Sequence, residues 1–310
     1  MRFALNDLLV DIPAEKIDEA RAFYASRVAG RGPSTYEELT KVRASMSTPS
    51  PTDPAAIEEI VETAGIAVPV RIFTPTVGLA RGVYLDIHGG GFYMSSAARG
   101  DARNRELADT LGIAVVSVDY RLAPENPWPA APDDCEAVAL WLVEHADTHF
   151  GTSRLAIGGS SAGATLALAT LLRLRDKGSV DRFTCAALQF GTYDLSALTP
   201  AGRQIADEYF IQAYAGHVED RTAPDISPIY GDLRGLPPAL LVIGTADVLL
   251  EDNLAMAGRL VAAGNNGEFR IYPESPHGFT GHPTAIARTA RDDVDAWLRV
   301  RLAQPWATRQ

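Results

Sequence analysis

Cysteine is scarce in this 310-residue chain. It occurs twice, as Cys135 and Cys185, and neither sits in a CxxC or a His-rich cluster. Two cysteines cannot make the disulfide framework of a small secreted fold, so two buried thiols are the expected state, with one bridge as the alternative. Long apolar runs are missing as well. The opening MRFALNDLLVDIP lacks the apolar core of a signal peptide, and no stretch approaches the roughly 18 apolar residues of a membrane span. The expected compartment is therefore the cytoplasm. Positive charge is in deficit, with 28 Lys and Arg against 39 Asp and Glu leaving −11 at pH 7. A surface of that sign repels phosphate, which argues against nucleic-acid or anionic-membrane partners. Metal chemistry lacks its ligands: His145 and His149 have i, i+4 spacing, but no Glu follows His145. No metal and no cofactor is expected.

What the chain has is 46% hydrophobic residues, enough for a large core, in an alternating pattern. Residues 57–63 and 68–74 read as a hairpin around Gly65. Apolar runs at 83–87, 113–118, 155–158, 184–190 and 239–244, with a more polar one at 268–272, read as strands. Helix-period segments fall near 97–111, 132–147, 162–175, 251–263 and 284–302. Parallel strands need crossover helices, so the fold class is α/β, a mostly parallel sheet covered on both faces. Before it come two helices. One opens at Pro13, carries Ile17, Ala20, Tyr24 and Val28 on one face, and ends at Gly30. The other opens on a Ser34/Glu37 capping box and runs to about Met46. Residues 195–222 break the alternation with a helical insert.

The chemistry-bearing motif is Gly159-Ser160-Ser161-Ala162-Gly163, between the run at 155–158 and a helix. A strand–turn–helix setting holds Ser161 at a sharp turn with its hydroxyl exposed, as a nucleophile requires. His88-Gly89-Gly90-Gly91 follows another strand. Three glycines let backbone N–H groups approach a reacting carbonyl. A phosphate loop is excluded because Phe92 and Tyr93 follow, not Gly-Lys-Ser/Thr. A serine nucleophile needs a histidine and a carboxylate. His277, in the loop SPHGF after the last strand, is the best placed, with His282 its nearest rival. Asp247 leaves the strand before it, with Asp252 as the rival. The order Ser161, Asp247, His277 is that of the α/β-hydrolases.

Together HGGGF (88–92), DYRLAPE (119–125), WPAAPDD (128–134), GSSAG (159–163), DVLLED (247–252) and HGF (277–279) resemble the bacterial hormone-sensitive-lipase-like esterases, family IV of the α/β-hydrolases. The resemblance implies an α/β-hydrolase catalytic domain over residues 51–310, with a helical cap from residues 1–50 and the insert at about 195–222. It implies a serine carboxylesterase for short acyl esters that needs no cofactor. Ser161 becomes the nucleophile, His277 the base and acid, and Asp247 the orienting carboxylate. The N–H groups of Gly90, Gly91 and Ala162 become the oxyanion hole, and Asp119, Tyr120 and Arg121 brace the glycine loop. Phe92, Tyr93, Tyr209 and Phe210 are expected to line an apolar, limited substrate pocket. The partner is then a small ester, with a homodimer compatible with the sequence. Lactone hydrolysis, amide hydrolysis, or a non-catalytic ligand-binding role like that of the gibberellin receptors are the alternatives. The receptors lack the catalytic histidine, whereas His277 is present. One departure stands out: members of the family it resembles usually carry Asp before the nucleophile, and this chain has Ser160.

Overall fold

The computed structural model describes residues 8–27, 31–47, 49–63 and 65–303. Its centre is an eight-stranded sheet of β1 (Ile57–Thr63), β2 (Ile66–Phe73), β3 (Val83–Ile87), β4 (Ala114–Val118), β5 (Leu155–Ser160), β6 (Phe183–Gln189), β7 (Ala239–Gly244) and β8 (Gly267–Tyr272). The spatial order is β1-β2-β4-β3-β5-β6-β7-β8. Only β2 runs against its neighbours; it pairs antiparallel with β1 and β4, and the rest of the sheet is parallel. The hairpin turns at Gly65, whose φ of 80° a side chain would resist. β4 (AVVSV) and β7 (ALLVIG) are buried along their whole length, as strands covered on both faces must be.

Helices cover both faces. On one lie α4 (Ala130–Phe150), α5 (Ala162–Asp176) and α8 (Leu250–Ala262), whose Val138, Leu166, Leu171 and Met256 pack in one core with Leu85, Ile157 and Leu188. On the other lie α1 (Ala14–Ala25), α3 (Asp101–Leu111) and α9 (Ala285–Ala303), packed with Tyr84, Val115 and Ala187. Burying a side chain such as Leu85 contributes roughly 1.5–3 kcal/mol, so the two layers hold the sheet rigid beneath the loops at its carboxyl edge. Cys135 and Cys185 are free and buried. No helix among the described residues is long and apolar enough to cross a membrane.

The amino-terminal helices are part of these cores. Ala20 of α1 is fully buried beside α9, and Leu39 of α2 (Tyr36–Ser45) joins the α4/α5 side. The cap of α2 sits one residue later than the Ser34/Glu37 spacing predicts. Thr35 accepts from the Glu38 N–H at 3.2 Å, while the Glu38 carboxylate takes the N–H and hydroxyl of Ser34 at 2.8 and 2.7 Å. Both register choices satisfy the S/T-x-x-E pattern, and the helix takes the one that gives Glu38 two donors. Val28 and Gly30, the expected end of α1, lie outside the described residues. The insert forms α6 (Pro200–Gln204) and α7 (Tyr209–Ala215).

Candidate active site

Ser161 stands between β5 and α5 with φ 54° and ψ −122°, a strained conformation for a residue with a side chain. The tight turn depends on small neighbours. A Cβ on Gly163 would lie 1.9 Å from the Ile87 carbonyl oxygen, so only glycine lets α5 start this close to β3. The Ser161 N–H donates to the Gln189 carbonyl at 2.9 Å, and the hydroxyl stands above the sheet edge. Ala162 opens α5; as the first helical residue, its N–H has no partner within the helix.

Two loops converge on this hydroxyl. His277, after β8, approaches Ser161 Oγ with Nε2 at 2.9 Å. Its Nδ1 lies 3.0 and 3.2 Å from the two carboxylate oxygens of Asp247, which follows β7. The Asp247 side chain is wholly buried and also accepts the Leu249 N–H at 2.8 Å. An imidazole held this way keeps its proton on Nδ1 and presents a lone pair to the hydroxyl. The ring of Phe190 meets His277 edge-on, with centroids 5.2 Å apart. No motif marked Phe190; only its place at the end of β6 could have signalled it.

The rivals are elsewhere. His282 Nδ1 meets the Tyr24 hydroxyl at 3.1 Å, and burial holds this imidazole below the usual histidine range. Asp252 lies on α8, bound by the Thr199 hydroxyl. His145 and His149 flank Trp141 at the exposed end of α4, and His217 is exposed beside Trp128. Among the described residues no group of three or more His, Cys, Asp or Glu side chains could hold a metal ion.

The glycine loop crosses in front of Ser161. Gly90 has φ 113°, and its carbonyl takes the Met94 N–H at 2.8 Å, closing a turn; Gly89, Gly90 and Gly91 all line the same cavity as Ser161. Beneath it, His88 stacks on Tyr120 with centroids 4.1 Å apart, and the Tyr120 hydroxyl donates to the His88 carbonyl at 2.9 Å. Burial depresses the His88 imidazole, which fits a neutral supporting role. Of the three residues expected to brace the loop, Tyr120 touches it directly. Asp119 instead accepts from the Ala97 N–H, and Arg121 ties to Asp134 on α4.

Ser161, His277 and the glycine loop line one cavity of about 940 Å³. Tyr93 and Phe210 form part of its wall, with Ile205, Glu208, Val248 and Leu249. Phe92 and Tyr209 do not line it, which corrects the sequence expectation. Phe92 has φ 62°, which turns its ring into the core, stacked on Tyr214 at 4.0 Å; Tyr209 packs edge-on against Tyr93. Nor is the cavity small or purely apolar. Its volume is near the upper end for small-molecule sites, and Asp86, Asn104, Ser160, Gln189 and Arg291 line it too.

A model of the alpha/beta hydrolase fold family matches residues 84–281. The chain belongs to the α/β-hydrolase fold family. Within it, the chain is similar to the carboxylic ester hydrolase LipN of Mycobacterium tuberculosis, 32% identical over 68% of this chain and 61% of that protein. It is also similar to an ethyl acetate hydrolase of Pseudomonas putida, 31% identical over 69% of this chain and 72% of that one. A solved structure described as a hormone-sensitive lipase from a metagenome library superposes with a TM-score of 0.73 at 26% identity. That match covers 95% of this chain and 99% of the other. This α/β-hydrolase is thus one of the hormone-sensitive-lipase-like esterases.

Proposed function

We propose that this chain is a serine carboxylesterase that hydrolyses short-chain acyl esters through an acyl-enzyme intermediate. The observation that carries the reading is the 2.9 Å contact from His277 Nε2 to Ser161 Oγ, with Nδ1 held by buried Asp247. Ser161 attacks the ester carbonyl as His277 takes its proton, and Asp247 stabilises the imidazolium. The carbonyl oxygen gains negative charge and is received by the N–H groups of Gly90, Gly91 and Ala162. Each such donor contributes about 2.7–4 kcal/mol to the transition state. His277 then protonates the leaving alcohol, water repeats the attack on the acyl-enzyme, and Ser161 is restored.

The name of the Pseudomonas putida relative supports a short acyl group. So does the cavity floor, because a long alkyl chain laid over Asp86, Ser160 and Gln189 would cover polar atoms that it cannot hydrogen-bond. In this reading the segment before residue 50 and the insert around 195–222 cap the catalytic domain, since Arg31, Gly32, Ile205 and Phe210 line the cavity. The net charge of −11 supports an enzyme without nucleic-acid partners, and we place it in the cytoplasm; sedimentation distinguishes a monomer from a homodimer. The test is kcat/KM for p-nitrophenyl esters of graded acyl length, beside lactones and aryl amides. The expected maximum is at short acyl esters. Faster turnover of lactones or amides assigns the triad to another bond.

A further inference from the structure

Asp86 stands in an unusual place. It is on β3, the fourth strand across the eight-stranded sheet, where its neighbours Leu85 and Ile87 are fully buried, yet Asp86 is only partly buried. The reason is that it faces the cavity that holds Ser161 and His277. Its Oδ2 accepts from Asn104 Nδ2 at 2.9 Å and from the Ser117 hydroxyl at 2.8 Å. These two donors fix the carboxylate, and its Oδ1 has no hydrogen-bond partner among the described residues.

The sheet register brings more polar groups to the same floor. Asp86 pairs with Gly158 on β5, so Ser160, two residues on, shares its face; Ser160 in turn pairs with Gln189 on β6. Ser160 and Gln189 both line the cavity, and neither side chain has a hydrogen-bond partner among the described residues. Arg291 of α9 lines it as well, with the Thr280 carbonyl as its acceptor at 2.5 Å and no carboxylate partner among the described residues. Polar side chains at the centre of a sheet are ordinarily paired, so a floor of open donors and acceptors marks a surface that a ligand completes.

We propose that this floor is a specificity site for a neutral hydroxyl-bearing part of the ester substrate, with Asp86 Oδ1 as the acceptor and Ser160, Gln189 and Arg291 as donors. The inference rests on the ester-hydrolase reading and names its substrate class. A hydroxyl both donates and accepts, which matches the mixed set. An ammonium group meets the Arg291 guanidinium, which has no carboxylate partner among the described residues, and a carboxylate meets Asp86, so the mixed floor suits a neutral group better than either charge. The small Ser160 leaves the floor open beside the nucleophile. A cavity of about 940 Å³ is also far larger than a simple short ester fills.

The test compares kcat/KM within matched substrate sets. On the acyl side these are p-nitrophenyl butyrate, 3-hydroxybutyrate, 3-aminobutyrate and hydrogen succinate. On the alcohol side they are propyl, 2,3-dihydroxypropyl and 2-aminoethyl acetate. The hydroxyl member of at least one set is expected to lead its plain analogue by about tenfold or more. Asp86→Ala should bring that ratio down severalfold. Gln189→Leu, which breaks no side-chain hydrogen bond, should lower it too and guards against a folding defect in the first variant. Equal kcat/KM across both sets, a preference for the charged members, or a ratio unchanged in both variants overturns the proposal while leaving the esterase reading intact. A wild-type protein that hydrolyses none of the esters overturns both.

Discussion

The hydroxyl of Ser161 and the Nε2 of His277 lie 2.9 Å apart although 116 positions separate them in the chain. Three parallel strands make this meeting possible. β5, β7 and β8 all end at one edge of the sheet, so the loops after them carry Ser161, Asp247 and His277 to a common point. Brought together in this way, the three groups can share a single proton-transfer path.

Asp247→Asn tests the orienting role. The asparagine still accepts the Leu249 N–H but can no longer balance a charged imidazole or enforce its tautomer. We expect kcat for p-nitrophenyl acetate to fall by about 10⁴-fold with the melting temperature little changed. A loss below tenfold would show that His277 needs no carboxylate.

Asp252 predicts a dependence of stability on pH. Burial, with Asp194 and Glu251 nearby, pushes its carboxyl up to about 6, although the Thr199 hydroxyl pulls the other way. Thr199 Oγ1 lies 2.9 Å from Asp194 Oδ2 and 3.0 Å from Asp252 Oδ2. One hydroxyl hydrogen cannot serve both carboxylates, so a proton on Asp252 completes the contact. Burial works against charge on Asp194 as well, but hydrogen bonds from Ser196 and Thr199 hold it below the usual range. An unfolded aspartate titrates near 3.9, so between about pH 4 and 6 the folded state holds a proton that the unfolded chain has released. The contribution of this group to stability therefore falls as pH rises through that window. Asp252→Asn should raise the melting temperature at pH 8 by a few degrees and lose that advantage at pH 4. An offset that is the same at both pH values contradicts the assignment.

Arg43 couples α2 to the glycine-loop side of the cavity. Its Nε and Nη2 donate to the Tyr93 carbonyl at 2.9 and 2.7 Å, Nη2 also to the Ala123 carbonyl at 2.6 Å, and Nη1 pairs with Glu125 at 2.7 Å. Charge-assisted bonds of this kind contribute about 1.5–3 kcal/mol each, and their loss frees the Tyr93 segment. Arg43→Ala is expected to lower kcat/KM about tenfold and to reduce the melting temperature. Unchanged kinetics would mean that α2 does not position this wall. Deleting residues 1–46 is a poorer test, since it strips Ala20 and Leu39 from the two cores.

The parts legible in the sequence are those written in local chain geometry. The turn at Ser161 follows from Gly159 and Gly163 between an apolar strand and a helix, and the strands follow from runs such as ALLVIG. Side-chain direction at irregular backbone was not legible. Phe92 adjoins the glycine loop in sequence, yet its positive φ turns the ring inward onto Tyr214, while Tyr93 faces the cavity. Asp86 is conspicuous within VYLDI, but the donors that hold it come from α3 and β4, and Arg291 of the same cavity comes from α9. Such a floor assembles from segments too far apart in the chain for any motif to mark.

The most direct measurement is covalent labelling of the nucleophile by diethyl p-nitrophenyl phosphate, read by peptide mass mapping beside the activity of Ser161→Ala. The account predicts one diethylphosphoryl group per chain, on Ser161, with activity lost in proportion to label. It also predicts a folded Ser161→Ala protein with kcat lower by about 10⁶-fold that takes no label. Label on Ser160 in place of Ser161, or a Ser161→Ala protein that keeps its activity, would contradict it.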